Sequence, residues 1–136
     1  MFDHLGFGVT NYAASRAFFL KALEPPGIGI VMEGEHGLGL GPKGKPALWM
    51  SKTAEEPAPL HLAFTAKDRE QVRAFHRAAL AAGGADNGAS GLRPGYHANY
   101  YGAFVIGPRW AQRRSGLPRS RGVSAPVAAA VPLAAR

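Results

Sequence analysis

His4 and His61 are the residues whose type and spacing first point to chemistry. An imidazole can hold a proton, accept a hydrogen bond or act as a ligand near neutral pH, and these two stand at matching places in a duplicated stretch. Aligned without gaps, His4–Leu23 and His61–Leu80 share eight of twenty positions: His4/His61, Leu5/Leu62, Phe7/Phe64, Arg16/Arg73, Ala17/Ala74, Phe18/Phe75, Ala22/Ala79 and Leu23/Leu80. Unrelated segments would share roughly one, so a duplicated supersecondary unit is the economical explanation. The symmetry gives the pair a pocket role; the alternative is two partly buried strand histidines with hydrogen-bonded rings. Trp49 reads as a pocket-wall or sheet-core aromatic. Arg93 and His97 lie in a loop near a strand that carries Tyr100 and Tyr101. Those two tyrosines point to opposite faces, so at most one lines a pocket. Trp49, Arg93, His97 and Tyr100 are therefore the candidates for holding a substrate, against the plainer reading of core and solvated loop residues. The run Gly37–Gly44 lacks the spacing of a phosphate-binding loop and opens no helix.

The elements that position these residues follow from periodicity. Leu5, Phe7 and Val9 alternate with His4, Gly6 and Gly8, the period of a strand. Asn11 offers an N-cap, Ala14, Phe18, Phe19, Ala22 and Leu23 form an apolar stripe, and Pro25-Pro26 ends the helix. In the second copy Leu60, Leu62 and Phe64 alternate with His61 and Ala63. Asp68 caps the next helix with Gln71 three residues on, Val72, Phe75 and Ala79 face inward, and Arg69, Arg73 and Arg77 face water. Gly83-Gly84 closes it. Strands are expected at Ile28–Met32, His36–Leu40 and Ala47–Met50 after the first helix. After the second come a loop from Gly84 to about Gly95, with room for one short strand, and a strand at Tyr100–Ile106. The unit is βαβββ, and the second copy still lacks its last strand at Pro108.

Composition narrows the class. A chain of 136 residues is one domain's worth. No apolar run approaches the roughly 18 residues of a membrane helix, and the N-terminus opens on a strand pattern, so the expected location is the cytoplasm. The absence of cysteine excludes disulfides and thiolate metal sites. The net charge of +7 suggests nucleic acid, but six arginines and no acid lie in residues 109–136, which leaves +1 for residues 1–108. The charge belongs to the tail.

That tail, 109–136, has no two-residue alternation, carries Pro118, Pro126 and Pro132, and ends in the Ala/Pro/Val-rich stretch Val123–Ala135. It reads as a low-complexity basic segment that does not complete the second unit. A reading-frame change near Pro108 is the sharper alternative. Codons permitted for Arg109–Pro118 become, with the first base dropped, Asp-Gly-His-Asn-Val-Glu-Ala-Val-Cys, a turn and an alternating strand with its glutamate where Arg114 stands.

Over residues 1–108 the chain resembles the vicinal oxygen chelate superfamily of glyoxalases, extradiol dioxygenases and bleomycin-resistance proteins. The resemblance rests on Asp3-His4-Leu5-Gly6-Phe7-Gly8-Val9, on Leu60-His61-Leu62-Ala63-Phe64, on Asp86-Asn87-Gly88 through Pro94-Gly95-Tyr96-His97, and on Tyr100–Pro108. It implies an α+β fold: two tandem βαβββ units, about 1–57 and 58–108, forming a cupped mixed sheet with helices outside, the last strand missing or altered. It also implies a divalent metal (iron, manganese, zinc or nickel) between the units, with His4 and His61 as ligands. A frame-restored glutamate would complete a two-histidine, one-carboxylate triad; Arg114 cannot, so weak or no metal binding is expected.

Three functions follow. The first is a glyoxalase-like lyase or dioxygenase acting on a small oxygen-rich substrate between the repeats, this chain being a damaged version. The second is a metal-free ligand-binding protein of the bleomycin-resistance kind. The third is a non-catalytic dimerising module. A homodimer is expected in each, without nucleic acid or membrane as partner.

Overall fold

The computed structural model describes residues 2–55, 57–58, 60–107 and 126–131. Strand β1 (Leu5–Val9) leads into helix α1 (Tyr12–Leu23), followed by β2 (Gly29–Gly34), β3 (Gly37–Gly41) and β4 (Leu48–Lys52). The second unit opens with β5 (Leu62–Thr65) and α2 (Arg69–Ala81). It continues through β6 (Ala85–Asp86), β7 (Gly91–Leu92), β8 (Tyr101–Ile106) and β9 (Pro126–Val131). The first sheet has the order β1-β4-β3-β2; the second has β5-β9-β8-β6, with β7 also on β8. In each, the first strand of the unit lies parallel to the last and the remaining ladders are antiparallel. The duplication read from the residues is thus a duplication of topology.

Local chemistry accounts for the helices. The Asn11 side chain accepts from the Ala14 N–H at 3.1 Å, and Asp68 accepts from Gln71 at 2.7 Å, each supplying a partner for a donor the first turn cannot pair. Gln71 reaches back to the Lys67 N–H at 2.8 Å, and its amide donates to the Pro25 carbonyl at 2.9 Å, which ties α2 to the end of α1. Phe18, Phe19, Ala22 and Leu23 of α1 and Phe75 and Ala79 of α2 share one core with Val9, Leu38, Leu40, Leu48, Met50, Leu62 and Val105. Both repeats therefore bury into a common interior. Not all three arginines of α2 simply face water: the Arg69 guanidinium stacks 4.9 Å over the Tyr101 ring, and Arg73 donates to its hydroxyl at 3.3 Å. Among the described residues no helix is long and apolar enough to cross a membrane.

The tail corrects one expectation. The segment beyond Pro108 was expected to supply no last strand, yet Pro126–Val131 fills that place between β5 and β8. Leu62 lies opposite Val127 as Leu5 lies opposite Leu48, so β9 is the counterpart of β4, reached much later in the chain. Pro126–Val131 is made only of proline, alanine and valine, so it carries no polar residue with which a two-residue alternation could show itself. Its proline is the first residue, where a missing donor is tolerated. Pro108–Ala125, including Arg114 and the point of the frame change, lies outside the described residues.

Candidate functional site

Strand alternation sorts the side chains between two faces. Val9, Leu38, Leu40, Leu48 and Met50 face the helices, so His4, Gly6, Gly8, Gly39 and Trp49 belong to the opposite face of the first sheet. In the second, Leu62 and Val105 face the helices, and His61 and Phe104 belong to the opposite face. The two histidines keep their equivalence: each stands one residue before the first strand of its unit.

His61 opens onto a cleft of about 390 Å³ lined with Asn87, Arg93, Tyr96 and Phe104. The His61 and Phe104 rings are 6.3 Å apart at 45°. Tyr96 lies nearly parallel to Phe104, with centroids 6.1 Å apart, and to Tyr100, at 4.9 Å. The loop that delivers these groups is stitched to β8. Asn87 donates through its backbone to the Phe104 carbonyl at 3.0 Å, Phe104 donates back to Gly88 at 2.8 Å, and Arg93 donates to Tyr100 at 2.7 Å. The Asp86 carboxylate accepts from the Gly88 N–H and from the His76 ring, both at 3.0 Å. The Gly88 N–H, then His76, hold its carboxyl below the ordinary aspartate range.

Arg93 is the cationic wall. Nη2 donates to the Ala89 carbonyl at 2.5 Å and Nη1 to the Leu92 carbonyl at 3.3 Å, with the guanidinium 5.6 Å over the Phe104 ring. Two glycines make room for it. A Cβ at Gly88 would sit 3.2 Å from Nη2, and one at Gly91 3.1 Å from Nη1; Gly88 also has φ +143°, a conformation that disfavours any side chain.

The other candidates lie elsewhere. His4 is exposed beside Asp3, 3.1 Å from its carboxylate, and Asp3 also takes a bond from Lys45. Lys45, then His4, lower the Asp3 pKa. Trp49 spans the middle of the first sheet, opposite Gly39 on one side and Gly6 on the other, with its ring 3.2 Å from where a Gly39 Cβ would be. Tyr100 backs the cleft through Tyr96, and burial, then Tyr96, raises its pKa. His97 stands edge-on to Tyr100 at 5.1 Å, its Nδ1 buried without a hydrogen-bond partner among the described residues. Of the sequence candidates, Arg93 and His61 meet in this cleft; His4, Trp49, His97 and Tyr100 do not line it. Asn87, Tyr96 and Phe104 were not singled out, although Asn87 and Tyr96 fall within the stretch that carried the resemblance.

Among the described residues the donors do not add up to the metal site that the resemblance implies. Among the described residues no three His, Cys, Asp or Glu side chains come together as a possible metal site. A separate pocket of about 250 Å³ at the seam of the units, lined by Leu5, Leu40, Leu48, Leu62 and Phe64 among others, offers no polar side chain to orient an oxygen-rich molecule.

No family model and no curated protein matches the chain. Solved structures do. A glyoxalase/bleomycin resistance protein from Albidiferax ferrireducens is similar at 25% identity and a TM-score of 0.72, covering 97% of this chain and 99% of its own. This chain has the vicinal oxygen chelate fold. A glyoxalase/bleomycin resistance protein/dioxygenase family enzyme from Burkholderia phytofirmans superposes on the same fold at 15% identity and a TM-score of 0.67, covering 96% and 98%. TioX from a Micromonospora species does so at 9% identity and 0.67, covering 98% and 99%. Vicinal oxygen chelate architecture thus accounts for the paired parallel strands, and it leaves the chemistry to the side chains.

Proposed function

We propose that this protein is a ligand-binding member of its fold, holding a small oxygen-rich molecule in the cleft of the second unit. The observation that carries the reading is the convergence of an imidazole, a carboxamide and a braced guanidinium on two near-parallel aromatic rings. A few placed polar groups on an aromatic wall are what a small-molecule site requires. Arg93 and Asn87 orient oxygen atoms, Tyr96 and Phe104 cover a flat surface, and His61 donates or accepts at the rim.

A metal-assisted activity is the second reading, favoured by the matching places of His4 and His61, each just before the first strand of its unit. Two imidazoles would hold such an ion only with a further donor. A thermal-shift screen of small carboxylates, phenols and diols tests the first reading, since a ligand bound only by the folded state raises the melting temperature. A shift lost in Phe104→Ala supports it; no shift with any compound sinks it. Stoichiometric zinc, nickel or manganese retained through gel filtration, and lost in His4→Ala and His61→Ala, would favour the second reading instead. We further propose a homodimer, to be checked by light scattering.

A further inference from the structure

We infer that the ligand is a flat aromatic carboxylate, with Arg93 as its anion receptor; the inference rests on the ligand-binding reading above. The charge of Arg93 has no carboxylate within salt-bridge distance among the described residues, whereas Arg16, Arg73 and Arg77 each have one. The Asp86 carboxylate feels the Arg93 charge without pairing to it, being engaged with His76 and the Gly88 N–H. Both protein bonds of the Arg93 guanidinium go to carbonyl oxygens of its own loop. A guanidinium has five donors in a planar fork, so these bonds leave donors for a second planar, two-oxygen acceptor.

The fork is also held in place before any ligand arrives. Ala89 and Leu92 fix its two ends, the Phe104 ring lies beneath it, and Gly88 and Gly91 press against it without side chains. Little rotamer freedom remains to be lost on binding. No acid lines the cleft, and its other polar walls, Asn87 and His61, can both donate. The flat component follows from Tyr96, which is 65% exposed yet aligned within 22° of Phe104 and 21° of Tyr100. With Tyr100 and Phe104 already stacked on it, the exposed part of Tyr96 offers a further ring an offset or edge-on contact along this aromatic wall.

Benzoate and its neutral analogue benzamide are the probes, titrated against the full-length chain by ligand-observed NMR. Benzoate should bind about tenfold more tightly than benzamide, because ionised acceptors bond more strongly to guanidinium. Arg93→Gln should abolish that preference, with benzoate falling at least to the affinity of benzamide for the same variant, and Arg93→Lys should keep part of it, since charge remains but the fork is lost. Raising salt should weaken benzoate alone. Equal affinity for both probes in the parent, or a preference that survives in Arg93→Gln, overturns the anion receptor while the ligand-binding reading stands. If neither probe binds, the aromatic carboxylate is overturned and the broader screen decides the reading by itself.

Discussion

Replacing Ala129 with proline should cripple the second sheet. Ala129 sits at the middle of β9, opposite Phe64 of β5 on one side and Ala103 of β8 on the other. Proline removes a backbone donor there and places a ring between strands that lie about 4.8 Å apart. The lost bond costs roughly 1 kcal/mol net and the acceptor left behind roughly 1–3 more. A total of about 3 kcal/mol is a large share of the ~5–15 kcal/mol that holds a typical domain together. Equilibrium urea unfolding followed by far-UV circular dichroism should show the midpoint of Ala129→Pro lowered by about 1–3 M. Pro126→Ala is the matched control. That residue ends the ladder opposite Ile106, so its replacement should change stability by less than about 0.5 kcal/mol. If Ala129→Pro unfolds with the parent, residues 126–131 are not a paired central strand, and the placement of β9 is refuted.

Gly39→Ala should cost about 1–3 kcal/mol, because the new methyl would lie 2.8 Å from Pro46 Cβ and 3.2 Å from the Trp49 ring. In a Trp110→Phe background the Trp49 emission maximum should shift; an unchanged spectrum and melting curve would contradict the packing. Asn11→Ala should lose about 1 kcal/mol in thermal unfolding, with Asn11→Asp close to parental, since only a side-chain oxygen caps the Ala14 N–H. Asp86 has a lowered folded pKa, so its contribution is present above the unfolded aspartate pKa and fades as pH falls through the folded one. Asp86→Asn should therefore destabilise at pH 7 and flatten the acid limb of the stability curve below about pH 4; parallel limbs for variant and parent would count against it.

Much of the fold was legible because the repeat and the caps are local signals. Asn11, Asp68, the α1 stripe and the glycines after α2 each declare themselves within one or two turns of chain. β9 was not legible, because the sign of a central strand is the pair of neighbours it finds, and Pro126-Val127-Ala128-Ala129-Ala130-Val131 carries no alternation to announce them. The site divides in the same way. Histidine and arginine declare their chemistry by type, so His61 stands out as a candidate metal ligand and Arg93 as a candidate substrate contact, and both line the cleft of the second unit. Phe104 looked like any other strand residue until the register of β8 put it on the face away from the helices. His4 matches His61 in sequence and in its place before the first strand of its unit, but it does not line the cleft that His61 opens onto.

The position of β9 also sets a schedule for folding. The strand at the centre of the second sheet is the one made last, so while the chain is being synthesised β5 and β8 each present an open edge until residues 126–131 have emerged. The first sheet has no such wait, since β4 follows β3 closely and can join β1 early. Pairing that joins distant segments is slow, and unpaired edges invite strands from other chains. Nascent or clipped forms of this protein should therefore be far more prone to associate than the finished molecule, with the second unit as the sticky half.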